Sequence, residues 1–63
     1  MYQLLIYFPD SETARATIQV DKARDVLALI PKLLAEHEGC EHIVVLFNQT
    51  RLFAVDCHGN RIA

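Results

Sequence analysis

The chain has 63 residues, 52% hydrophobic and 22% charged, which predicts one globular domain over residues 1–63 and excludes a disordered polymer. The net charge is −2, and Arg15, Lys22, Arg24, Lys32, Arg51 and Arg61 are scattered along the chain. With no basic stripe to displace counterions, the sequence predicts no nucleic-acid partner.

No apolar run approaches the roughly 18 residues of a membrane span, so no membrane partner is expected. Met1-Tyr2-Gln3 places no basic segment ahead of an apolar one, so no export signal is expected. Two cysteines then read as reduced thiols in a cytoplasm. A folded chain of this mass should expose about 4,100 Å². At this size the gain from burial and the entropy cost of ordering nearly cancel. Extra burial against a partner would therefore matter.

Residues 2–8 (Tyr-Gln-Leu-Leu-Ile-Tyr-Phe) are aromatic and branched on both faces, which predicts a central strand. Pro9-Asp10-Ser11-Glu12 is a turn cluster. In residues 13–20, Ala14, Ala16, Ile18 and Val20 alternate with Arg15, Thr17 and Gln19. This pattern predicts a half-buried edge strand that forms a hairpin with the first.

Residues 21–39 carry Val26, Leu27, Leu29, Ile30, Leu33 and Leu34 at steps of three and four, an apolar helical stripe. Asp21 is the expected N-cap and Gly39 the expected stop. Pro31 should kink the helix, because it lacks an N–H and crowds the preceding turn. Residues 41–47 form a third expected strand, apolar on both faces, and residues 51–57 a fourth, with Asn48-Gln49-Thr50 as the turn between them. His58-Gly59-Asn60 is a further turn ahead of a short stub, Arg61-Ile62-Ala63.

The predicted fold class is α+β, in β-β-α-β-β order, with one helix packed on a four-stranded sheet made of two hairpins. The first strand is expected at the centre, paired in parallel with a strand of the second hairpin. The β-grasp sulfur carriers and ubiquitin have a similar order but end in Gly-Gly, so the resemblance stops at topology. Small tautomerases use an N-terminal Pro where this chain has Tyr2.

A single helix covers one face of such a sheet, and the strands are apolar on both. The sequence therefore predicts an exposed apolar face. Through it, a small interaction module would form a homodimer or bind a protein partner, with Leu5, Tyr7, Val45, Phe47, Phe53 and Val55 as the expected interface. Pairing Phe47 with Arg51 sets His42 opposite Asp56, Glu41 opposite Cys57 and Cys40 opposite His58. Cys40, His42, Cys57 and His58 would then gather at one end of the hairpin, an alternative metal or redox site. The spacing argues against it, since strand neighbours point to opposite faces. His42 with Asp56 has the form of an acid–base pair. No nucleophile is obviously placed beside it, so the sequence predicts no enzyme and no cofactor.

Overall fold

A computed structural model of the protein describes residues 1–62. The elements are β1 (Tyr2–Tyr7), β2 (Ala16–Val20), α1 (Ala23–Glu36), β3 (His42–Phe47) and β4 (Thr50–Asp56). They form one four-stranded sheet in the order β2-β1-β3-β4, with α1 packed on one side of it. This is the expected β-β-α-β-β arrangement. The surface is 4148 Å², as the mass predicts.

β1 is central, but the expected parallel pairing does not occur. Tyr2 lies opposite Val20 on one side and Phe47 on the other, and both pairings are antiparallel. A parallel partner would need β3 to run in the same direction as β1. Here the chain leaves α1 at the end of the sheet where β1 finishes, so β3 runs back along it. The amide of Glu41 donates to the carbonyl of Tyr7 at 2.8 Å and marks this return.

β2 begins at Ala16 rather than at residue 13. The turn chemistry extends further than expected: Ser11 Oγ donates to the Thr13 carbonyl at 2.9 Å, and Arg15 reaches back to Asp10 at 3.0 Å.

α1 is one continuous helix through Pro31. Its N-cap is Lys22, whose carbonyl accepts from Asp25 and Val26, not Asp21. Asp21 lies one residue too early, and no side chain caps the first turn. Asp25 supplies a negative charge there, favourable at the positive end of the helix dipole. The last turn closes as expected at its C-terminal side. The His37 amide donates to the Leu33 carbonyl at 2.9 Å, its Nδ1 lies 3.0 Å from the same oxygen, and Gly39 takes φ +86°.

The β3–β4 turn is shorter than the sequence reading placed it. Phe47 pairs with Thr50 rather than Arg51, across the two residues Asn48 and Gln49 at φ 49° and 72°. Positive φ at both central positions suits the right-handed twist of a tight hairpin. The Asn48 side chain also accepts from the N-terminal ammonium at 3.0 Å. The register then slips by one between Val45 and Leu46: Leu46 faces Arg51, Val45 faces Phe53, and Leu52 is the extra residue. Beyond this bulge the slip cancels the short turn, and His42 lies opposite Asp56 as the sequence predicted.

The core lies between α1 and the sheet. Leu4, Ile6, Ile43 and Val45 are fully enclosed there, with Val26, Ile30 and Leu33 of the helix above them. Gln49 holds a left-handed conformation that costs a side-chain-bearing residue about 1 kcal/mol. Gln49→Gly should raise stability by up to about 1 kcal/mol in urea denaturation, and a loss of stability would contradict the turn geometry.

Candidate functional site

The helix does not sit centrally. Its backbone lies closest to β1 and β2, and its side chains reach Ile43 and Val45 of β3 and Val55 of β4 in the core. What it leaves partly open is the helix side of β4 at Leu52 and Phe53. A groove of about 540 Å³ runs there, with Leu27, Ile30, Pro31 and Leu34 on the α1 wall and Phe53, Val55, His58, Gly59 and Arg61 on the other. A smaller recess of about 210 Å³ continues it toward the start of the helix, between Ala23, Val26 and Leu27 on one side and Tyr2, Val45, Leu52 and Phe53 on the other. Leu27 and Phe53 line both, so the two form one apolar channel.

Leu27 is 65% exposed and Leu52 42% exposed, so both present their side chains to water at its rim. The bulge explains Leu52. As the extra residue in β4 it escapes strict alternation and joins the helix-side recess. At the far end the channel is basic: the Arg61 guanidinium lies 5.3 Å from the centre of the Phe53 ring, with His58 beside it.

The face behind the sheet is mixed. Leu5, Tyr7, Val44, Leu46 and Ala54 share it with Gln3, Thr17, Gln19, His42, Arg51 and Asp56, by the alternation of the paired strands. The expected interface therefore does not form one surface. Leu5 and Tyr7 lie behind the sheet, while Val45, Phe47, Phe53 and Val55 lie on the helix side, with Val45 and Val55 buried in the core. Period-two patterning groups residues by face but does not say which face the helix takes. The expected set takes one face of the first strand and the opposite face of the last two. Behind the sheet Leu5 faces Val44 and Tyr7 faces His42, and the channel residues Leu27, Leu34 and Leu52 lie outside the expected set. A signal for Leu27 was available: six apolar positions make a stripe wider than one packed helix face buries.

The four Cys and His residues do not converge. Among the described residues no group of three His, Cys, Asp or Glu side chains is placed to hold a metal. Cys40 is buried in the core, whereas Cys57 is exposed. His42 stacks on Tyr7 behind the sheet, ring centres 4.8 Å apart, and His58 lines the channel on the helix side. Only His42 lies in a strand; Cys40 precedes β3, and Cys57 and His58 belong to the turn after β4. Burial pushes the Cys40 thiol up, and the charge of Cys57 adds to this, so Cys40 stays protonated at neutral pH.

His42 and Asp56 face each other but do not act as a pair. The His42 ring lies 3.0 Å from a Glu41 carboxylate oxygen. Asp56 Oδ1 instead accepts from the amides of His58 at 2.8 Å and Asn60 at 3.0 Å. These bonds turn the chain back on itself. The Asp56 amide donates to Asn60, Val55 bridges to Arg61, and the Ile62 amide donates to Ala54 at 2.9 Å. Asp56 thus holds Arg61 at the channel.

Hydrogen bonds donated by the backbone amides of Asn60 and His58 hold the Asp56 carboxyl below the ordinary carboxylate range. A lowered folded-state pKa gives stability that is present above the unfolded pKa and lost as pH falls through the folded one. The unmodified protein should melt above Asp56→Ala at pH 7, and the gap should close as pH falls from about 5 to about 2. Thermal melts across that range check this, and a gap that stays constant would remove the carboxylate from the account.

No family model, no curated protein and no solved structure matches this chain. No helix among the described residues is long and apolar enough to cross a membrane.

Proposed function

We propose that this is a small protein–protein interaction module that binds a segment of a partner protein in the channel between α1 and β4. The exposure of Leu27 at the rim of a groove whose walls include Ile30, Phe53 and Val55 carries the reading. Burying such side chains against a partner is favourable by about 25 cal/mol per Å², a large term for a chain of this size. The chemistry of the channel describes the occupant. Apolar anchors fit against Leu27, Leu34, Leu52 and Phe53, and an acidic group fits at the Arg61 and His58 end.

The same placement supports a binding role over catalysis, since Asp56 serves a turn and the His42 ring is held by Glu41 and Tyr7. A reducing cytoplasm suits one buried and one exposed free thiol.

Selection of a displayed random-peptide library against the folded protein tests the reading. Selected peptides should share two or more apolar anchors with an acidic flank, and should lose at least about tenfold in affinity for Leu27→Glu combined with Leu52→Glu. Peptides that bind this variant as well as the unmodified protein, or the absence of any enrichment, would contradict it.

A further inference from the structure

The two edges of the sheet are finished differently. The outer side of β4 carries a bulge at Leu52 and is paired at its far end by the returning segment, through Val55–Arg61 and the Ile62 amide to Ala54. Bulges and covering segments are the devices that stop an edge from pairing with another chain. β2 has none of them. Residues 16–20 are Ala-Thr-Ile-Gln-Val, with no Pro, no charge and a regular register against β1, and the structure pairs only its inner side.

We propose that β2 pairs with β2 of a second copy of this chain, antiparallel about a two-fold axis at Ile18, to make a continuous eight-stranded sheet. The occupant follows from the sequence of the edge itself, which is self-complementary in that register. Ile18 meets Ile18 of the second copy, Thr17 meets Gln19, Ala16 meets Val20, and Arg15 meets Asp21. Apolar residues pair on the helix side, polar amide and hydroxyl groups pair behind it, and two opposite-charge pairs close the ends.

Both ends are accessible. Asp21 is exposed and makes no ion pair among the described residues. Arg15 is exposed, bonded to Asp10 at 3.0 Å and lying 4.3 Å over the Phe8 ring. A guanidinium has five N–H donors, so it can hold Asp10 and the second copy's Asp21 together. A groove of about 520 Å³ flanks the same edge on the helix side, between Val20 and Leu29. It leaves room beside β2 for apolar side chains of an added strand. Three titratable groups line this groove, Asp21 and Asp25 against Lys32, so it carries one net negative charge toward the second copy's Arg15. The surface is separate from the α1–β4 channel, so the two proposals stand or fall apart.

Sedimentation equilibrium from about 1 µM to about 1 mM spans the association expected of one short strand pair. The unmodified chain should show a monomer–dimer equilibrium in that range. Arg15→Glu and Asp21→Arg should each weaken it by about tenfold, and the double variant, with the charges exchanged, should restore it. Melting curves confirm that each variant is folded. The exchange of charge makes the result specific to this register, because a general loss of solubility or fold would not be reversed by the second change. A monomer throughout the range would overturn the proposal. So would a dimer that responds to Leu27→Glu but not to either charge reversal.

Discussion

A helix about 10 Å across covers two strands spaced about 4.8 Å apart, and this sheet has four. That mismatch governs the molecule. α1 lies over β1 and β2, and its buried side chains Val26, Ile30 and Leu33 complete a core with Leu4, Ile6, Ile43 and Val45. The helix-side surface of β4 is then left with Phe53 and Leu52 beside the free flank of the helix. A larger domain would place a second helix there. This chain places a turn and the short return of residues 61–62.

The return has two consequences. It pairs part of the β4 edge, and it sets Arg61 over Phe53 so that the apolar channel ends in a positive charge. Both depend on Asp56, whose carboxylate gathers the amides of the turn. A residue that looked like half of a catalytic pair is a structural device for the edge and for the rim of the channel. The other edge, β2, has no such device. One edge of the sheet is thus partly paired within the chain, while β2 at the other is paired on its inner side only.

The sequence made much of the fold legible and less of the surface. Element order follows from patterning, because Val26, Ile30 and Leu33 recur at helical spacing, Ala16, Ile18 and Val20 alternate with polar residues, and residues 43–47 are a short apolar run. The facing of His42 and Asp56 was also correct, though two departures cancel to produce it: a turn one residue shorter and a bulge one residue longer. Neither has a strong local signature here, since Gln49 at positive φ replaces the usual Gly. Strand direction was not legible. It depends on where the chain emerges from the helix relative to the ends of β1, a three-dimensional fact.

The faces were the main loss. Each strand could be split into two sets by alternation, but the choice between sets depends on which side α1 packs. The expected interface therefore mixed Leu5 and Tyr7 from behind the sheet with Val45 and Val55 from the core. The expected excess of apolar surface rests on strands apolar on both faces, and it does not anticipate the exposed side chains beside the helix. Leu27 and Leu52 are exposed beside the helix, whereas the face behind the sheet is mixed.

The most direct test of the offset helix is methyl relaxation in a dilute NMR sample containing a soluble paramagnetic probe. The account predicts strong broadening of the Leu27 and Leu52 methyls, with the methyls of Leu4, Ile6, Ile43 and Val45 untouched. Leu27 and Leu52 as protected as Leu4 would mean that the helix covers β4, and the account would fail.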